Sequence, residues 1–585
     1  MKKTYTFLAV MLLALGTASA EVVDQQSAAT IAGRWLGGEA SLCWESPRTK
    51  ADSDPLFYVF SSEDGGWVMI SAEDATCPIL AYSDEGQFNS TNLPDGLKAW
   101  LDGYAKSIRE ARKYSVQADA NTARMWQVAG YRTKASSGKL LETAKWGQDA
   151  PYNLLCPEVT EGGKTVRALT GCVATAMAIV CRFHQWPEKG KGTVGGYSYK
   201  SEAGQTVNIP SYSIDEHEYN YSLMPLRYTS SANSSQKNAV AQLMHDCGVM
   251  VEAGYNYSYG TWAYSDNLCN ALFKHLSYSG NARLEIRSEY NDVEWIQMLK
   301  NEIDADRPLL YGGVDEKQGG HQFVCDGYDA NDYVHINWGW EGVDDGYFTL
   351  NLSIPGDCTF NTWQDMVVGL EPDRDGSTTT AGGPVCFLYQ YSTGEDYKGI
   401  TLNSGDVMSK SFSVKLGYLF NQHYHEDYNG AVRVALVDKD GALKEVISDV
   451  KPVFISAANL TGISRLSCKI TVALEYGDAV ILQYKDRDES WKKVRSYTEY
   501  GSVNSELLFI DAPFIKLADS YKASDRLYFE LSETGKCISS ITWTFDGAKQ
   551  EGVCVDLSSG THTLEASVSY TDGSTDLVSA TITVQ

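Results

Sequence analysis

A change of hydrophobic rhythm near residue 373 constrains this chain more than any other feature. Before it, apolar residues recur at helical and then at strand spacing. After it they fall only in short alternating runs, such as Ser411 to Leu416, Ala431 to Val437 and Lys469 to Leu474. The junction, Asp375-Gly376-Ser377-Thr378-Thr379-Thr380-Ala381-Gly382-Gly383, reads as a linker. One core cannot serve both patterns, and 585 residues are too many for one. Short strands with turns such as Asp546-Gly547 and Asp572-Gly573 predict β-sandwiches. Two are expected, over 373–512 and 513–585.

Upstream, residues 136–372 read as an α+β domain. Val173 to Phe183 is apolar almost all round, which predicts a helix buried inside the domain. Ala239 to Met244 and Val293 to Ile303 are further helix candidates. Leu309 to Gly312, Phe323 to Tyr328, Tyr333 to Asn337 and Tyr347 to Leu350 then read as strands. Helices followed by strands suggest two lobes. Residues 21–135 form a smaller α+β unit. In it, Phe57 to Phe60 and Trp67 to Ile70 flank the turn Glu63-Asp64-Gly65-Gly66, and Leu97, Trp100, Leu101, Tyr104 and Ile108 come next at helical spacing. The small, basic stretch Arg132 to Lys139 between the two units predicts an exposed segment open to proteolysis.

Residues 1–20 read as a signal peptide: Lys2 and Lys3, a short apolar run, then Ala18-Ser19-Ala20. That predicts export, to the periplasm or beyond. The run is too short to span a bilayer, and no later stretch predicts an integral membrane segment. The formal charge of −26 argues against nucleic acid as a partner. Thirteen cysteines leave at least one thiol unpaired, and without any CxxC a zinc ribbon is not expected. Cys537 and Cys554 are the best candidates for a bridge. His423 and His425 beside Glu426 and Asp427 could hold a metal, although an exposed polar loop is the plainer expectation. Gly162-Gly163-Lys164-Thr165 fails as a phosphate loop because position 158 is Glu158.

The chemistry concentrates elsewhere. Cys172 follows Thr170-Gly171 and opens the apolar helix, where unpaired N–H groups and the helix dipole favour a thiolate. The competing reading is a buried structural cysteine. His321 follows Gly319-Gly320 and opens an apolar strand, 149 positions after Cys172. It is a candidate general base, against an ordinary histidine at a strand start. Asn337 could orient the imidazole through its amide oxygen, with Trp338 shielding that bond from water. Gln148 could join the Cys172 N–H in holding an oxyanion.

Together these stretches resemble the streptopain family of bacterial papain-like cysteine peptidases. The resemblance lies in Trp146 to Leu155, Thr170 to Met177, Phe183 to Pro187, Gly319 to Val324, and His335 to Trp340 with Asp345 to Phe348, in that order. It implies a papain-like two-lobe catalytic domain over 136–372, with Cys172 as nucleophile, His321 as base, Asn337 and Trp338 beside it, Gln148 at the oxyanion, and Gly320 lining the substrate cleft. The unit at 21–135 resembles the family's inhibitory propeptide, through Tyr58 to Phe60, Val68 to Ser71 and Leu97 to Leu101. The short signature around the papain nucleophile is absent, and a separation near the edge of roughly 130–150 residues fits a distant branch.

The chain is therefore expected to be a secreted cysteine endopeptidase zymogen that acts on proteins or peptides. Its own propeptide would be the intramolecular inhibitor, and no metal or organic cofactor is required. One departure is visible: Ser258 to Ser265 carries Trp262 and Tyr264 where the family has a Gly/Ser-rich cleft wall. Alternative readings are a cell-wall peptide amidase or transpeptidase using the same pair, or an inactive exported adhesion or carbohydrate-binding protein.

Overall fold

The computed structural model describes residues 22–131, 138–352, 364–376 and, with further interruptions, 385–584. Short gaps in the first two stretches fall at 50–51, 114–115, 119, 162, 202–203, 259 and 316–318. The signal peptide and most of the stretch 132–139 therefore lie outside the described residues.

Helix Gln25–Leu36 begins at Asp24, whose carboxylate accepts from the Ser27 N–H at 2.7 Å. Four antiparallel strands come next: Ser41–Glu45, Phe57–Ser61, Trp67–Ser71 and Ile79–Ser83. The hairpin expected around residues 63–66 forms, with Phe57 opposite Ser71. Helix Asp95–Lys113 buries Leu97, Trp100, Leu101, Tyr104 and Ile108.

This unit is not self-contained. Ile79–Ser83 pairs antiparallel with Gly346–Phe348, so the sheet continues through Val334–Asn337, Gly319–Tyr328, Leu309–Asp315, Gln364–Val368 and Arg283–Ile286. With Lys139–Leu140 laid on Gly319–Tyr328, this is one eleven-stranded sheet. The core beneath it is shared: Phe57, Trp67, Trp100 and Tyr104 pack with Trp295, Phe323, Ile336 and Phe348. Burial at roughly 25 cal/mol per Å² of apolar surface makes such a shared core the main force holding the unit in place.

The other lobe is helical, built on Cys172–His184, Ser234–Met250 and Asp266–Leu276. Val173 through Cys181 are all buried, as an apolar stretch without a polar face requires. Ser234–Met250 and Asp292–Asp304 each open with a reciprocal capping box, Asn233 with Gln236 and Asn291 with Glu294.

Two separate β cores complete the described chain, one drawn from Val385 to Leu507 and one from Ile515 to Val584. The first docks on the edge strand Arg283–Ile286 of the large sheet and the segments that flank it. His423 is buried and its Nε2 lies 2.9 Å from Asn281 Oδ1, Gln422 donates to the Leu284 carbonyl, and the Arg495 guanidinium sits 4.0 Å over the Tyr290 ring. This corrects the expectation of an exposed loop at His423, because Gly280 has no side chain where His423 and His425 press. Among the described residues no group of side chains is arranged to hold a metal. The expected bridge between Cys537 and Cys554 falls in part outside the described residues, because Cys537 is not among them. Glu158–Glu161 and Lys164–Arg167 pair antiparallel. Among the described residues no helix is long and apolar enough to cross a membrane.

Candidate active site

Cys172 is the first residue of helix Cys172–His184. Gly171 before it sits at φ 88° and offers no side-chain cap, so the first-turn N–H groups are left for another acceptor. A Cβ on Gly171 would lie 2.9 Å from Thr261. The loop through Thr261 is thus pressed against the turn that carries Cys172. Gln148 is brought alongside by its backbone: its carbonyl accepts from the Thr170 N–H at 3.1 Å.

His321 lies near the start of strand Gly319–Tyr328, opposite Gly313. The helix start and the histidine strand meet there, and the backbone N–H of the next residue, Gln322, acts on the Cys172 thiol in favour of its charged form. Gln322 Oε1 accepts from Ser265 Oγ at 2.9 Å, which ties the loop carrying Trp262 and Tyr264 to the same place. Both rings are exposed, and they contact each other at 5.6 Å. Gly320 is exposed at the strand start.

The bond expected between Asn337 and the imidazole is not formed. Asn337 is fully buried, its Nδ2 donates to Thr143 Oγ1 at 3.0 Å and to the Ala144 carbonyl at 2.9 Å, and its Oδ1 accepts from the Gly339 N–H. The reason is register: Asn337 stands opposite Val324, three residues along the strand from His321. Asn337 instead anchors the segment that leads from Leu141 to Gln148. Beneath it, buried Asp326 accepts from Thr143 Oγ1 and pairs with His335 Nδ1 at 2.5 Å. Burial alone would raise this carboxyl, but His335, Lys145 and Thr143 hold it below its ordinary value.

Trp338 packs in an aromatic column, 4.8 Å from Phe323 and 5.1 Å from Phe348. The next ring of the column belongs to the N-terminal unit: Trp100 lies 5.7 Å from Phe323 and 6.2 Å from Trp338. One turn earlier, Gly96 touches the site itself. A Cβ there would stand 3.0 Å from the Trp338 ring and 3.7 Å from His321 Cβ. No other residue type fits that seat without displacing the indole.

Coverage changes the electrostatics. Burial pushes the Cys172 thiol above its ordinary value, and the Asp95 carboxylate pushes the same way, against the N–H groups of Gln322 and Val173. The thiolate expected from the helix terminus is therefore suppressed while the N-terminal unit is in place. The sequence marks Leu97, Trp100 and Leu101 as a helix face, but no local pattern announces Asp95 and Gly96 as contacts of the site, or Asp326 as its buried support.

A second contact of the unit responds to pH. The Asn89 N–H donates to Asp344 Oδ1 at 2.7 Å, and burial raises the Asp344 carboxyl to about 6, with Asp345 adding repulsion. A carboxyl raised by burial favours the covered state at low pH, and the advantage is lost as pH rises from the ordinary value through the raised one, the Asn89 N–H opposing it in part. Retention of the cut N-terminal unit should therefore weaken as pH rises between about 4 and 6. Gel filtration of cut protein at pH 4.5 and 7 checks this, and Asp344→Asn should flatten the difference.

Comparison with known proteins gives two matches to family descriptions: residues 146–348 match the Peptidase C10 family, and residues 20–108 match the Spi protease inhibitor. The thiol protease/hemagglutinin PrtT of Porphyromonas gingivalis is 29% identical over 472 residues, covering 75% of this chain. The chain spans only 52% of that protein's length. Streptopain of Streptococcus pyogenes is 32% identical over 332 residues, covering 54% of this chain and 80% of that one. Among solved structures, a prointerpain A fragment from Prevotella intermedia is 31% identical, with a TM-score of 0.45, over 57% of this chain and 99% of that one.

Proposed function

Because the chain belongs to the Peptidase C10 family, we propose that it is an exported zymogen of a cysteine endopeptidase, with Cys172 as nucleophile and His321 as general base. Cys172 Sγ attacks the scissile carbonyl once His321 has taken its proton. The oxyanion is held by the Gln148 side-chain amide and the Cys172 N–H, where one donor is worth roughly 2.7–4 kcal/mol. His321 protonates the leaving amine, and a water activated by the same ring hydrolyses the thioester. Gly320, exposed at the strand start, lets the substrate backbone approach. Trp338 shields the His321 side of the site. Asn337 acts through the Thr143–Gln148 segment rather than on the imidazole.

The observation that carries this reading is the seat of Gly96 on Trp338 and His321. An inhibitory unit that packs on those two side chains supports their place in the reacting site. Cutting within 132–145 would free the unit, and export follows from residues 1–20. The test compares casein hydrolysis by uncut precursor and by protein cut in that interval. The cut form should be the active one, and equal rates would remove the inhibitory role of residues 21–135. Purified peptidoglycan in the same assay separates endopeptidase from cell-wall amidase action.

A further inference from the structure

Strand Gly346–Phe348 has one neighbour from its own lobe, Val334–Asn337, and takes Ile79–Ser83 of the N-terminal unit on its other side. Tyr347 stands opposite Tyr82 and Phe348 opposite Ala81, and the Thr349 N–H donates to the Leu80 carbonyl at 3.0 Å. Gly346 permits this approach, since a Cβ there would lie 2.6 Å from the Tyr82 carbonyl oxygen.

The Tyr82 side chain is held by the sheet lobe at three points. Its ring stacks on Tyr347 at 4.9 Å and 12°, and meets Tyr333 edge-on at 5.6 Å. Its hydroxyl donates to Asp329 Oδ2 at 2.8 Å. Tyr333 also donates from its own hydroxyl to the Ile79 carbonyl at 2.9 Å. Backbone pairing along an edge, with a shaped slot for one side chain, is how a sheet recognises an extended peptide. Release of the N-terminal unit would uncover edge and slot together, and an uncovered apolar edge invites another strand.

We infer that in the cut enzyme this edge is an exosite that takes an extended, tyrosine-bearing segment of a protein substrate, in the register now held by residues 79–83. The inference rests on the proposed peptidase activity. The occupant is a substrate segment because the N-terminal unit already runs from this edge to the cleft: Ser83 and Gly96 are thirteen residues apart. One polypeptide can therefore engage both places.

The test follows hydrolysis of casein and of a tetrapeptide amide by the cut enzyme, with a peptide of residues 76–86 as competitor. The peptide should raise KM for casein and leave tetrapeptide hydrolysis unchanged. Its Tyr82→Ala version should be roughly tenfold weaker, having lost a stacked ring and a hydrogen bond. Tyr347→Ala in the enzyme should raise KM for casein about fivefold with kcat/KM for the tetrapeptide unchanged. A peptide that inhibits both substrates equally, or neither, overturns the inference, as does a Tyr347→Ala enzyme slowed equally on both. Binding of the labelled peptide to thiol-alkylated cut enzyme separates exosite from peptidase activity. Saturable binding, about tenfold weaker for the Tyr82→Ala peptide, is expected whether or not casein is cut, and its absence overturns the exosite alone.

Discussion

Cys172→Ala is expected to reduce casein hydrolysis by at least about ten-thousandfold and to leave the precursor uncut. The substitution removes one sulfur from the first turn of a helix whose next nine residues are buried, and Ala is the best helix former, so the fold should hold. Initial rates, with circular dichroism to confirm folding, measure the effect. His321→Ala should lose nearly as much, because a nucleophile and its base act as a unit. Retained hydrolysis by folded Cys172→Ala protein would move the chemistry to another thiol.

The second large effect concerns the inhibitory unit. Trp100 is 5% exposed and contacts Phe323, Trp338 and Tyr311 across the shared core. Truncating such a ring costs about 3–5 kcal/mol, and here the loss falls on the contact between unit and enzyme. Trp100→Ala should therefore weaken the hold of the N-terminal unit by about a hundredfold or more, and the precursor should become active or be cut much sooner. The appearance of casein hydrolysis with time in wild-type and Trp100→Ala precursors measures it. A precursor as silent and as slowly cut as wild type would place the inhibition elsewhere, at Gly96 and Asp95 alone.

Local pattern carries the parts of this structure that local physics determines. Val173 to Cys181 has to be a buried helix because no polar face is available, and the turn at Glu63 to Gly66 has to reverse two apolar runs. The same reasoning places Cys172 at a helix start, because Gly171 breaks the pattern just before it.

The features hidden in the sequence are long-range. Nothing near Ile79 indicates that its strand will pair with one beginning at Gly346, so the N-terminal unit reads as self-contained where it shares a sheet and a core. Asn337 differs from expectation for the same reason. Its partners Thr143 and Ala144 lie nearly two hundred positions away, and strand register rather than residue type sets its distance from His321. His423 looks like a surface loop residue because the glycine that makes room for it, Gly280, belongs to another domain.

One thiol, Cys172, is held to do the chemistry once its cover is removed. The most direct measurement is titration of cut enzyme with an epoxide thiol inhibitor while casein hydrolysis is followed, with the label then located by peptide mass spectrometry. Activity should fall in proportion to label at Cys172 and vanish at one label per chain, with uncut precursor labelling far more slowly. Activity that survives full modification of Cys172, or that is lost with the label on a different cysteine, would contradict this assignment.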